Sequence, residues 1–199
     1  MYKRLLVLIL AGTFFAASAQ VAERPDVRPG DRWRFVVYYA VPSSAPNRVW
    51  VVDTVGADNI VGTENGQPLR LTRDLNPRES PLMLQWDTEP LRFPLRVGGQ
   101  WQHSGHVRFK DNGSQANVET QVRVEAWEQV RVVAGEFEAF RLRATSTFEG
   151  TSYGGSGQLR GTSSTVYWYA PAARAIIKSI NRSTYRGEST VELVDFQLK

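Results

Sequence analysis

Cysteine is absent from the 199 residues of this chain. Its absence excludes disulfide bonds, zinc–thiolate sites, iron–sulfur clusters and thiolate nucleophiles. It also predicts that no acylated cysteine anchors the mature protein to a membrane. Disulfide cross-links are not required for stability, because a chain of this length can bury an adequate hydrophobic core as one domain.

Histidine and clustered positive charge are also scarce. The 2 histidines, His103 and His106, are three residues apart and should lie on opposite faces of a strand, where they cannot bind one metal ion. We interpret both as exposed polar residues beside Trp101, and we predict no metal site and no cofactor. The formal net charge is only +4, and the arginines are spread singly along the chain. Nucleic-acid binding needs a clustered basic stripe, so we predict no nucleic-acid partner.

Catalytic motifs are missing as well. The segment Gly154–Gly157 has the composition of a loop and contains no Gly-x-Ser-x-Gly elbow. Asp87 with Glu89, and Glu136 with Glu138, would each share a strand face, whereas a glycosidase needs two carboxylates that face each other across a cleft. The sequence therefore predicts a protein that is not an enzyme.

The N-terminus has the pattern of a secretory signal peptide. A basic start precedes an apolar run from Leu5 to Ala17, and this run is shorter than the about 20 residues that a spanning helix needs. Small residues at Ala17 and Ala19 suit a signal peptidase, and an uncleaved membrane anchor is the alternative. We predict a signal peptide over residues 1–19 and a single domain over 20–199. The mature protein should have no transmembrane segment and should be periplasmic or secreted, in a bacterium.

The mature chain is dominated by alternation of apolar and polar residues, which predicts an all-β protein. The strongest pattern covers residues 122–148, where two alternating runs flank Gly135, a residue that reaches positive φ without strain. We predict a long β-hairpin there, with Phe137 and Phe140 buried and Gly135 at or beside the turn. Its apolar positions are Val122, Val124, Ala126, Val130, Val132, Phe140, Leu142 and Ala144.

Short turns such as Asn65-Gly66 connect the predicted strands and favour antiparallel neighbours. We predict a single strongly curved antiparallel meander sheet of about ten to twelve strands, in the form of a barrel or half-barrel. The only helical candidate is a turn around Pro171 to Arg174. The glycine-rich segment from Glu149 to Gly157 predicts a long hairpin loop, since a phosphate-binding loop would need a following helix and a lysine.

Aromatic residues are the one compositional excess. The 6 tryptophans and 7 tyrosines lie mostly on predicted strands, where large rings usually pack in the core. A second interpretation is that some of them line a concave sheet face that holds an apolar ligand. The residues predicted for this face are Tyr38, Trp50, Trp86, Trp127, Tyr167 and Tyr169.

The second half of the chain resembles a known group of proteins. The motif Trp-Glu-x-Val-x-Val-x-Ala-Gly-x-Phe-x-Ala-Phe begins at Trp127, Trp168-Tyr-Ala-Pro follows, and Glu192-Leu-Val-Asp-Phe lies near the C-terminus. This order resembles the TapB-like group of exported bacterial β-proteins, which is related to a domain of unknown function. The resemblance is best over residues 122–199 and implies a curved antiparallel sheet and export, with no known reaction or catalytic residues. The chain departs from the group at Ala172, where a glycine is usual.

These observations predict an exported cell-envelope protein without catalytic activity. The preferred hypothesis is a binding or carrier module whose aromatic-rich concave face holds a lipid, another apolar small molecule or a segment of an envelope protein. The alternative is a structural or assembly accessory protein of the envelope that acts through its sheet edges.

Overall fold

The computed structural model describes residues 20–39, 47–110, 113–152, 157–185 and 187–199. The predicted signal peptide and residues 153–156 of the predicted glycine-rich loop lie outside these ranges. The strands are β1 (Val21–Ala22), β2 (Arg32–Tyr39), β3 (Asn47–Val55), β4 (Asn59–Glu64), β5 (Gln67–Thr72), β6 (Pro77–Glu79), β7 (Met83–Trp86), β8 (Leu95–Arg96), β9 (Gln100–Phe109), β10 (Gln115–Val132), β11 (Gly135–Ser152), β12 (Gly157–Ala170), β13 (Ala175–Ser183) and β14 (Gly187–Gln197).

A 3-10 turn at Pro171–Ala173 is the helical element of the described ranges, and it lies where the sequence predicted a turn. Over the same ranges no helix combines the length and the apolar character that crossing a membrane would require.

Twelve strands form one antiparallel sheet in the order β6-β5-β4-β3-β2-β14-β13-β12-β11-β10-β9-β7. Most neighbours follow each other in the chain, but β2 and β14 join its two ends, with Trp33 opposite Phe196. The edge strands β6 and β7 lie beside each other, and Glu79 of β6 forms an ion pair with Lys110, just after β9, at 3.2 Å. The sheet is therefore nearly closed into a barrel, and the predicted all-β fold class is confirmed. The short strands β1 and β8 pair separately.

The predicted long hairpin is formed by β10 and β11, each of 18 residues. Val132 pairs with Gly135, which has φ of +132°, so the turn is at residues 133–134. Phe140 is fully buried as predicted. Phe137 is only half-buried and contacts Phe196 at a ring-centroid distance of 5.9 Å.

The predicted positions Phe140, Leu142 and Ala144 on β11 are buried as expected, and so is Val132 on β10, but the faces of β10 are exchanged after Val124. A β-bulge between Val124 and Ala126 adds one residue to β10, so that the following residues change faces. Trp127 consequently pairs with Phe140 and packs edge-on against its ring, with centroids 4.6 Å apart. The regular pattern had placed Ala126 on this inner face.

The predicted loop from Glu149 to Gly157 is shorter than expected. β11 continues to Ser152, and β12 begins at Gly157. Gly150 permits this extension, because a Cβ at that position would overlap the carbonyl oxygen of Gln115 on β10.

The barrel has two ends that differ in their contents. We call the end with the turn at residues 133–134 and the 3-10 turn the core end, and the end where β11 and β13 finish the cavity end. Bulky buried side chains fill the core end: Trp33, Phe140, Leu142, Tyr169, Ile177 and Leu193. Inner positions near the cavity end carry shorter side chains, among them Thr120, Ser146, Ser163, Thr165 and Asn181.

Candidate functional site

A cavity of about 340 Å³ lies inside the barrel. It extends from Trp33 and Ala175, beside the core, to Leu159 and Tyr185 near the cavity end. Its wall is mostly apolar, and its aromatic members are Trp33, Phe35, Trp50, Phe109, Phe148, Tyr167 and Tyr185. The volume lies at the lower end of the range of about 300–1,000 Å³ that is usual for small-molecule sites.

Alternation along the strands brings these side chains to the cavity, since every second residue of a strand faces inward. Thr120, Ser146 and Ser163 are adjacent inner residues on β10, β11 and β12. The hydroxyl groups of Thr120 and Ser146 are hydrogen-bonded at 2.8 Å. Asn181 on β13 donates a hydrogen bond of 2.7 Å to the Thr165 hydroxyl. Short side chains at these positions leave space that larger residues would fill.

Trp50 is held at the wall by a buried carboxylate. Its indole N–H donates to Glu64 Oε2 at 3.1 Å, and its ring packs edge-on against Phe35 with centroids 5.4 Å apart. Glu64 is 6% exposed, and the Arg48 guanidinium lies 3.6 Å from its other oxygen. A buried carboxylate requires such a partner, so this corner of the cavity carries a paired charge.

His103 lines the cavity from β9. Its Nε2 accepts a hydrogen bond from the backbone N–H of Glu89 at 2.9 Å, so in the neutral ring the proton is on Nδ1. Nδ1 is buried and has no hydrogen-bond partner among the described residues. Burial lowers the pKa of His103 below its ordinary value, while the charge of Glu89 opposes this and the charges of Arg92 and Arg78 add to it. His103 therefore presents a neutral donor that none of the described residues satisfies.

Glu89 lies next to His103 and is held by several hydrogen bonds. Its carboxylate accepts hydrogen bonds from Arg78 at 3.0 Å and Arg92 at 3.1 Å, and its carbonyl oxygen accepts one from the Trp101 indole at 3.0 Å. Burial would raise the pKa of Glu89, but the hydrogen bonds from Arg92 and Arg78 hold it below its usual value. This cluster fixes the segment before β8 against β9 and so positions the N–H that His103 accepts.

Of the six residues predicted for the apolar face, the five whose side chains are described do not lie together. Trp50 and Tyr167 line the cavity, and burial raises the pKa of the Tyr167 hydroxyl. Tyr38 is 46% exposed and pairs with Thr190 at the far end of β2.

The other three predicted residues lie elsewhere. Trp127 packs against Phe140 at the core end, and Tyr169 is fully buried there with its ring against Phe93 at 5.1 Å. Trp86 ends β7, and its side chain lies outside the described part of the structure.

Several wall residues were not recognised from the sequence. His103 was interpreted as exposed, whereas it lines the cavity and its Nδ1 is buried. A signal was present, because His103 lies two residues after Trp101 and thus on the same face of β9. The hydroxyl residues of the wall carried no such signal, since serine and threonine alternate equally well on exposed faces.

The fold, and not the sequence, relates this chain to known proteins. No protein-family model matches it, and no curated protein matches it. A proposed lipoprotein from Parabacteroides distasonis has 11% sequence identity and a TM-score of 0.55, over 88% of this chain and 99% of that chain. A proposed exported protein with a YmcC-like fold from Bacteroides fragilis has 14% identity and a TM-score of 0.52, over the same shares.

The hypothetical lipoprotein YmcC from Escherichia coli is a third structural neighbour. It has 10% identity and a TM-score of 0.51, over 84% of this chain and 85% of that chain. At these identities the likeness defines the fold, which is YmcC-like, and it transfers no activity or binding residue.

Proposed function

We propose that this protein is an exported bacterial envelope protein that binds an apolar small molecule inside its barrel, without acting on it chemically. The observation that carries the proposal is the cavity with its mostly apolar wall. Apolar surface that lines an internal space gains free energy when a ligand covers it. The indole and phenol rings of Trp50 and Tyr167 supply part of that surface.

Export forms the second half of the proposal. Residues 1–19 have the composition of a signal peptide. Two of the structural neighbours are named as lipoproteins and one as an exported protein. The periplasmic or secreted location and the resemblance to the TapB-like group stay predictions.

Assembly through sheet edges is the second candidate function. The edge strands β6 and β7 have 3 and 4 residues, and they lie against each other where the barrel nearly closes. Little edge backbone is thus available for a partner strand. The cavity gives more support to ligand binding than the edges give to assembly.

Binding can be tested with a neutral fluorescent probe, N-phenyl-1-naphthylamine, added to the protein expressed from its full sequence. We expect a saturable rise in fluorescence that methyl decanoate reverses. Ser163→Phe places a ring in the cavity and should weaken probe binding about tenfold or more, which corresponds to about 1.4 kcal/mol. Ser164→Phe is the matched control, because the next residue of β12 faces outward and should leave binding unchanged.

Two results would remove the proposed function. One is the lack of any saturable signal with the unmodified protein. The other is undiminished binding by Ser163→Phe when circular dichroism shows that the variant is folded.

A further inference from the structure

We infer that the ligand of this cavity is an uncharged, single-chain molecule with a carbonyl oxygen, of the acyl ester class, and that His103 donates a hydrogen bond to that oxygen. The inference rests on the proposed function, because it specifies the ligand of the same cavity. Three features of the wall lead to it: an unsatisfied donor, paired charges and a limited volume.

The unsatisfied donor is Nδ1–H of His103. The Glu89 N–H occupies Nε2 at 2.9 Å, so the proton of the neutral ring lies on the buried nitrogen that has no partner in the described chain. A buried donor without an acceptor is costly, and native proteins rarely retain one without a use for it. A ligand oxygen in the cavity would supply the missing acceptor.

The charged residues of the wall argue that the ligand is neutral. Arg48 lies 3.6 Å from Glu64, and the Arg174 guanidinium lies 3.2 Å from the fully buried Asp31. Each charge on the described wall therefore has its counter-charge within the protein. A carboxylate or phosphate entering this space would lose its hydration without gaining a free cation.

The neighbourhood of His103 favours the same choice. The Glu89 carboxylate belongs to the segment that holds the imidazole, and its negative charge is paired with two guanidinium groups. Arg78 and Arg92 are already hydrogen-bonded to Glu89. Since burial also keeps the imidazole neutral, it offers no positive charge to offset the desolvation of an anion, and its N–H can donate to an uncharged ester or ketone carbonyl without that cost.

The cavity volume of about 340 Å³ limits the size of the apolar part of the ligand. It suits one chain and not a lipid with two long chains, since it is close to the smallest volumes of small-molecule sites. The lining includes residues from Trp33 beside the core to Tyr185 near the cavity end, so a linear chain could contact both. We place the carbonyl group beside His103 and the hydrocarbon chain along Phe35 and Trp50.

The imidazole must turn to reach this ligand. Its ring lines the cavity, but Nδ1 has almost no surface open to it. Changes of side-chain rotamer at binding sites are common. We expect the ring to rotate toward the cavity on binding, which would change the environment of the Nδ1 proton.

The test compares three compounds of similar size as competitors of N-phenyl-1-naphthylamine at pH 7.5: methyl decanoate, undecane and decanoic acid. Methyl decanoate should bind more tightly than undecane by about three- to tenfold, as expected for one neutral hydrogen bond. Decanoic acid, ionised at this pH, should bind more weakly than the ester. His103→Phe should abolish the preference for the ester over undecane.

Matched variants isolate the donor. His103→Gln keeps an acceptor for the Glu89 N–H and restores an N–H, so it should recover part of the preference. His106→Phe should retain the full preference for the ester. The His106 side chain does not line the cavity, and its Nδ1 lies 3.1 Å from Asn117 Oδ1. In ¹⁵N spectra of labelled histidine, methyl decanoate should shift the Nδ1 signal of His103 and leave that of His106 in place.

The outcomes separate this inference from the proposed function. Displacement of the probe by none of the three compounds would overturn both. Displacement by all three with equal strength, or an ester preference that survives in His103→Phe, would overturn the role of His103 and leave apolar binding intact. Tighter binding of decanoic acid than of its ester would overturn the inference that the ligand is neutral.

Discussion

The core end and the cavity end of the barrel are built from the same strands but are filled differently. Along β11 the inner residues decrease in size from Phe140 and Leu142 to Ala144 and Ser146. β12 shows a similar trend, since Tyr169 and Tyr167 are followed by Thr165 and Ser163 at the inner positions toward the cavity end. Strand pairing is continuous through both ends. The position of the cavity is thus set by side-chain volume and not by a break in the sheet.

The two ends also treat buried polar groups differently. At the core end Asp31 is fully buried and accepts hydrogen bonds from the backbone N–H groups of Arg28 at 2.9 Å and Lys199 at 2.7 Å, and from Arg174 at 3.2 Å. On the cavity wall, Nδ1 of His103 has no partner in the described chain. One arrangement ties the two ends of the domain together, whereas the other leaves bonding capacity for a further molecule.

The largest loss of folding stability should come from removing a buried side chain at the core end. Phe140→Ala removes a fully buried ring that packs against Trp127, and it should lower the free energy of unfolding by about 3–5 kcal/mol. Phe148→Ala, on the same strand at the cavity wall, should cost only about 1 kcal/mol, because this half-buried ring already borders an open space. Urea denaturation of both variants measures the difference. Equal losses would mean that the cavity end is packed as tightly as the core end.

A smaller loss of folding stability should follow from weakening the hydrogen bonds and the ion pair of Asp31 at the core end. Asp31→Asn keeps the shape of the side chain but removes the charge that faces Arg174 and the two backbone donors. We expect the free energy of unfolding to fall by about 2–3 kcal/mol. Asp26→Asn is the matched control, since Asp26 is exposed and its ion pair is with Arg28, which is exposed as well. If Asp31→Asn unfolds at the same urea concentration as the unmodified protein, Asp31 does not hold the chain ends together.

The sequence predicted the strands and their antiparallel order because both depend on local patterns. Two-residue alternation identifies a strand with one buried face, and a turn such as Asn65-Gly66, with φ of 52° and 78°, joins it to its neighbour. Continuity of the sheet depends on the pairing of β2 with β14, where Trp33 meets Phe196 from the opposite end of the chain. No local pattern specifies such a contact. The bulge after Val124 was missed because Glu-Ala-Trp also fits regular alternation.

The candidate site was predicted less completely, for a physical reason. Aromatic residues on strands pointed to Trp50 and Tyr167, but the same signal selected Trp127 and Tyr169, which are in the core end. Whether an inward ring meets a cavity or another side chain depends on the volumes of residues on neighbouring strands. Those volumes act together only after the strands are paired, so the choice cannot be made from one strand.

The smallest effect concerns pH and separates His103 from its neighbour His106. Because burial lowers the pKa of His103 in the folded protein, the unfolded chain binds its proton more readily. The contribution of His103 to the free energy of unfolding is therefore fully present above about pH 6.5, the pKa of an unperturbed histidine. It decreases as the pH falls from there toward the pKa of His103 in the folded protein. Glu89 and the arginines Arg78 and Arg92 face this ring, and the pKa of Glu89, lowered below 4.5, keeps that group ionised above pH 5.

Urea denaturation at pH 7.5 and pH 5.5 should show a modest loss of stability for the unmodified protein, reduced by the partial exposure of the ring. His103→Phe should lose less stability between these two values, while His106→Phe should behave like the unmodified protein. An equal loss in His103→Phe would show that the pH dependence arises outside the cavity, and that the unsatisfied donor does not distinguish its wall from the core end.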